Sequence, residues 1–113
     1  MSDYQIDRDQ WAQLSIFEQM GNIGSEVGRA ISAQRRGKTE RVEGAIYRAL
    51  DLFDATTEAL VKEKSPRTRE VLRARDEFLR LFYDGTFETD SDNIERYFTQ
   101  FAIAARNQGA SRS

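Results

Sequence analysis

Apolar residues recur along most of this 113-residue chain with a period near that of an α-helix, and no two-residue strand alternation competes with it. Between positions 15 and 36, Ile16, Met20, Ile23, Val27, Ala30, Ile31 and Gln34 fall on one arc of a helical wheel. Glu18, Asn22, Ser25, Arg29, Ser32 and Arg36 fall on the opposite arc. Ser15 and Glu18 have the spacing of a capping box, in which each side chain serves the other's backbone N–H. Gly37 suits the left-handed residue that closes such a helix. A second stripe, Val42, Ile46, Ala49, Leu50, Phe53, Thr57 and Leu60, predicts a helix from Thr39 to Lys62. Ala45, Leu52 and Ala59 widen its apolar side, and Glu40 and Glu43 occupy the first turn, where the helix dipole favours negative charge. Ser65 followed by Pro66 reads as a cap and first helical residue. Val71, Leu72, Ala74, Phe78, Leu79, Leu81 and Phe82 then carry a third helix to Tyr83, with Gly85 as its stop. Asp84 to Asp92 reads as an acidic loop. Asp92 and Glu95 read as the capping box of a fourth helix, with Ile94, Tyr97, Phe98, Phe101, Ala102 and Ala105 inward and Gly109 at its end.

Tyr4, Ile6, Trp11 and Leu14 make residues 1–13 too apolar for a plain tail, so a short extra turn or helix is expected to lay Trp11 against the rest. Residues 110–113 read as a loose tail. Four amphipathic helices with short connections predict an all-α fold, an antiparallel up-down-up-down four-helix bundle in one domain spanning 1–113.

Composition narrows the chemistry. The chain has no His and no Cys, which removes thiol nucleophiles, disulfides, His-dependent triads and Cys/His zinc sites. A formal charge of −2 argues against a broad positive field for nucleic acid. No apolar run is long enough to cross a membrane, and the polar first ten residues lack the layout of a secretory signal, so a cytoplasmic protein is expected. Glu40/Glu43 and Asp51/Asp54 have helical spacing but no matching acidic pair on a facing helix. Neither a metal, nor a cofactor, nor a catalytic residue is assigned.

Three features remain. Gly21, Gly24 and Gly28 lie on one flank of the first helix, each costing about 0.5–1 kcal/mol relative to Ala. Close packing against another helix, in this chain or across a homodimer, is the expected reason. Arg75 falls among Val71, Leu72, Leu79 and Phe82 and needs a partner; Asp54 ranks first, before Glu43 and Glu26. With Asp54, Glu26 and Tyr47, Arg75 is the candidate centre of a site for a small anion or nucleotide. Arg69, Arg73 and Arg80 share an outer face, which offers a weak RNA patch.

The run Leu14-Ser15-Ile16-Phe17-Glu18-Gln19-Met20-Gly21-Asn22-Ile23-Gly24-Ser25-Glu26-Val27-Gly28-Arg29-Ala30 resembles the opening of a group of small prokaryotic helical proteins with no activity assigned. The likeness continues in Arg48 to Leu52, Phe82-Tyr83 and Tyr97 to Arg106. In architecture the chain is also similar to the HEPN class of helical bundles. Ribonuclease members of that class carry an Arg followed by a His on a late helix, and this chain has no His. The resemblance therefore implies a partner-binding relative without catalysis. The favoured expectation is a non-catalytic interaction protein, a homodimer or a partner subunit, with the Ala45–Leu52–Ala59 flank or the glycine flank available to be covered. An anion-binding module at Arg75 is the alternative, and weak RNA binding the third reading.

Overall fold

Five helices make up the computed structural model, which describes residues 6–111, with side chains as far as Gln108. They are α1 (Arg8–Gln13), α2 (Ile16–Arg35), α3 (Thr39–Lys62), α4 (Thr68–Tyr83) and α5 (Phe87–Ser111), and no strand occurs among the described residues. Their ends follow local chemistry. The Asp7 side chain accepts from the amides of Asp9 and Gln10 to start α1. Ser15 and Glu18 form the reciprocal capping box that starts α2. At the end of α2, Gly37 has φ +69, the Lys38 amide donates to the Ala33 carbonyl at 2.9 Å, and the Gly37 amide donates to Gln34 at 3.1 Å. Those two bonds form a Schellman closure, and they let α3 begin two residues later.

The core gathers around Phe53 and Phe78, both fully buried, with Ile23, Val27, Ala30 and Ile31 from α2 and Phe98 and Phe101 from α5. The Phe53 ring lies 6.1 Å from Phe78 and 6.0 Å from Phe98, tilted and edge-on, as aromatic quadrupoles prefer. α2 packs most extensively against α3 and α5, α4 packs on α3 and α5, and α1 rests on α3. Trp11 is the anchor of α1. It is buried, and its indole N–H donates to Thr56 Oγ1 at 2.9 Å. Gln19 holds the α1–α2 corner by donating to the carbonyls of Trp11 and Leu14.

Several boundaries differ from the sequence reading. α4 begins at Thr68, because Ser65 to Arg67 form a turn first; Ser65 Oγ accepts from the Arg67 amide at 3.1 Å. The acidic stretch is mostly helix rather than loop. α5 begins at Phe87, its first turn holds Glu88 and Asp90, and Asp92 lies inside it rather than capping it. Acids stabilise a helix start, and Phe87 packs its ring 5.8 Å from Phe82, so the run is well suited to a first turn. Gly109 does not end α5, which continues to Ser111. Gln34, Leu72 and Ala102, placed on inner arcs, are exposed. The expectations for Tyr4 and for residues 112–113 lie outside the described residues. No described helix is long and apolar enough to cross a membrane.

Candidate functional site

The glycine flank separates into two environments. A Cβ built on Gly24 would sit 2.8 Å from Phe98 Cβ, and one on Gly21 would sit 3.4 Å from the Ala102 backbone. These two glycines let α5 approach α2 within the same chain. Gly28 is different, and no helix of its own chain packs closely on it: a Cβ built there meets nothing within 4 Å. Gly28 instead lies at the edge of an open groove of about 850 Å³ lined by α2 and α3, and it also borders a smaller hollow against α5.

That groove is walled by cations. Arg29 and Arg36 come from α2, Arg41 and Arg48 from α3, and Lys38 from the connection between them. Both arginine pairs are seven residues apart, which is two helical turns and about 10 Å of rise. The groove therefore has two basic ends. At one, Glu26 accepts from Arg29 Nη1 at 2.5 Å and from Arg48 Nε at 3.0 Å. The Glu26 side chain is only 9% exposed, and a carboxylate so buried requires such partners. Gly44 gives Arg48 room to reach it, because a Cβ there would stand 3.3 Å from Arg48 Nη1. At the other end, Arg36, Lys38 and Arg41 have no carboxylate partner among the described residues. Glu40 lies nearby in the first turn of α3, and that helix start has no side-chain cap. Ser25, Ser32 and Ala33 complete the lining with small side chains.

The four residues chosen from sequence for a ligand site do not converge. Arg75 Nε lies 3.8 Å from Asp54 Oδ1, an ion pair between α4 and α3 on a half-exposed surface. Glu26 is committed to Arg29 and Arg48, and Tyr47 stands in solvent, 67% exposed. The Arg75 constellation is thus corrected to one structural pair, with Glu26 belonging to the groove instead. The arginines of α4 are paired along their own helix, Arg73 with Glu77 and Arg80 with Asp76 and Asp84, while Arg69 borders a shallow hollow with Leu72. Ala45 and Leu52 are buried in the chain's own core and Ala59 is half-buried, so most of that flank is covered within the chain. Among the described residues no cluster of acidic side chains could hold a metal ion.

Among the described residues, one group is held far from its ordinary range. Burial pushes the Tyr97 phenol upward, and donating its proton to Glu70 at 2.8 Å pushes it further. Tyr97 packs between Phe98 and Phe101, and the bond ties α5 to α4, so this is a structural link rather than a reactive centre.

Sequence reading missed the groove because it judged each helix face alone. Arg29 and Arg36 were outer-face residues on one wheel, and nothing on that wheel says that Arg41 and Arg48 stand opposite. The signal was available in the matched seven-residue spacing on both sides of the Gly37 hairpin. Compared with family models, with curated proteins and with solved structures, the chain finds no match in any of the three.

Proposed function

We propose that this chain is a non-catalytic cytoplasmic binding protein whose ligand is a small phosphate-bearing anion held between α2 and α3. On this reading α2 to α5 form an antiparallel four-helix bundle. Support comes from facing pairs: Gly24 with Phe98 and Arg35 with Asp92 on α2 and α5, and Glu26 with Arg48 on α2 and α3. The observation that carries the function is the cluster of Arg36, Lys38 and Arg41 on an open groove, with no carboxylate partner among the described residues. Three like charges held together raise each other's energy, and an anion relieves that repulsion. Planar guanidinium forks match phosphate oxygens, and a volume of about 850 Å³ lies within the range of small-ligand sites.

A homodimer or protein partner has less support, since much of each flank that suggested one is filled from within the chain: Ala45 and Leu52 by the core, Gly21 and Gly24 by α5, with Ala59 half-buried and Gly28 open.

Thermal melting with inorganic tripolyphosphate tests the reading. Saturating ligand should raise the melting temperature by roughly several degrees, as any native-state ligand does. Arg36→Ala with Arg41→Ala should abolish the rise, whereas Arg75→Met should leave it intact. A rise lost in Arg75→Met and kept in the double variant would move the site to α4. No rise in wild type would remove the anion reading.

A further inference from the structure

Among the described residues five large apolar or aromatic side chains stand well exposed, and four of them, Tyr47, Val61, Leu72 and Tyr83, belong to α3 and α4. Their placement is regular. Tyr47, Asp54 and Val61 recur every seven residues, so they form one straight stripe along α3. On α4, Leu72, Leu79 and Tyr83 lie within about 80° of Arg75, all to the same side of it. The two stripes border one cleft, because Arg75 Nε meets Asp54 Oδ1 across it at 3.8 Å. The chain turns between Lys62 and Thr68, and Asp54 and Arg75 stand eight and seven residues back from that turn. On the antiparallel reading above, this register sets Tyr47 level with Tyr83, and Leu50 level with Leu79, both half-buried. The carboxylates flanking the α3 stripe are taken, Asp51 and Glu58 by Arg8 of α1. The central pair is less committed: 3.8 Å is too long for a hydrogen bond, and both side chains keep access to solvent.

We propose that a second copy of this chain docks on this face, about a two-fold axis running along the α3–α4 cleft. Such an axis keeps every residue at its own level and lays α3 of each copy antiparallel over α4 of the other. Asp54 of each copy then faces the partner's Arg75. The two long pairs become a ring of four alternating charges, and each guanidinium gains a second carboxylate to donate to. A two-fold axis across the helices would instead set Asp54 against Asp54 and Arg75 against Arg75, which repulsion opposes. Along the cleft, Tyr47 and Tyr83 meet their counterparts at one end of the contact, and Val61 and Leu72 are covered toward the other. α4 has 16 residues, so the shared face measures about 24 Å by two helix widths of about 10 Å. That is roughly 500 Å² per copy and about 1,000 Å² in total, the lower limit of specific interfaces, so the dimer is a weak one. This face is none of the flanks weighed above. It leaves the anion groove free, since Arg41 and Arg48 lie about 120–140° round α3 from Asp54.

Sedimentation equilibrium of the full chain, from about 1 μM to about 1 mM, should show monomer and dimer exchanging with a dissociation constant on the order of tens of micromolar. Leu72→Glu changes a side chain that is half-exposed in the single chain. It should stay folded by circular dichroism and remain monomeric throughout. Asp54→Arg alone and Arg75→Asp alone each set like charges across the axis, and each should weaken the dimer by about tenfold or more. An equimolar mixture of these two variants restores opposite charges at both crossings between copies, while each chain keeps its own like-charged pair. The mixture should therefore dimerise about tenfold more tightly than either variant alone. Contact within one chain cannot produce that rescue. Wild type that stays monomeric at about 1 mM overturns the proposal. A dimer that survives Leu72→Glu lies on another face and overturns it too, as does a mixture that dimerises no better than its components.

Discussion

Gly24 and Gly28 are one helical turn apart, share a residue type, and have opposite reasons to exist. Phe98 is almost fully buried, with its ring against Phe53 and Tyr97, so it has no room to yield to a methyl group only 2.8 Å from its Cβ. Gly24→Ala therefore forces α5 away from α2 and should cost about 1–3 kcal/mol as an overpacked core position. Gly28→Ala meets no atom and restricts only the unfolded chain, so it should gain about 0.5–1 kcal/mol. Urea denaturation of the two variants against wild type reads both effects. Equal signs would mean that the two glycines share one environment, and the open space above Gly28 would be wrong. Sequence could not separate these residues. They differ in what lies across from them, and that depends on where α5 docks.

Helix ends were legible where a local device was complete, and misread where cap-like spacing fell away from the true start, as at Ser65–Pro66 and Asp92–Glu95. The Ser15–Glu18 box and the Gly37 closure were read correctly because each is complete within a few residues. The start of α5 was not, because Asp92 and Glu95 have capping-box spacing while the helix has already run since Phe87. In the folded chain both acids serve another purpose: Arg35 binds Asp92 at 2.7 Å and Glu95 at 3.0 Å, tying the end of α2 to α5. The two roles carry different energies. Removing a side-chain cap costs about 1 kcal/mol, whereas an exposed ion pair contributes less, and Ala suits a helix interior better than Asp. Asp92→Ala should thus change stability by less than about 0.5 kcal/mol, and Ser15→Ala should lower it by about 1 kcal/mol. Equilibrium denaturation of the pair distinguishes them. A loss in Asp92→Ala as large as that in Ser15→Ala would return the helix start to Asp92. The same contrast explains the candidate site: caps are local in sequence, while the groove is a relation between two helices.

At the scale of the whole molecule the charge is unevenly placed. The chain carries −2 overall, yet residues 25–48 hold six basic and three acidic side chains, so the remainder is more acidic than the total suggests. The molecule spans 40 × 30 × 27 Å. At near-physiological salt the screening length is about 8 Å, so a ligand in the groove senses Arg36, Lys38 and Arg41 more than the net negative charge of the rest of the chain. At about 0.01 M salt the screening length reaches about 30 Å, comparable to the molecule, and the distant carboxylates begin to oppose an approaching anion. At about 1 M even adjacent charges are screened. Affinity for tripolyphosphate should therefore fall steeply, by about tenfold or more, between near-physiological salt and 1 M. Dilution from physiological salt to 0.01 M should change it far less, because local attraction and distant repulsion grow together. Calorimetry at the three salt concentrations measures the curve. A net negative protein without a segregated basic groove would give the opposite slope, binding anions better as salt rises, and that result would show that the α2–α3 cations do not act as a unit.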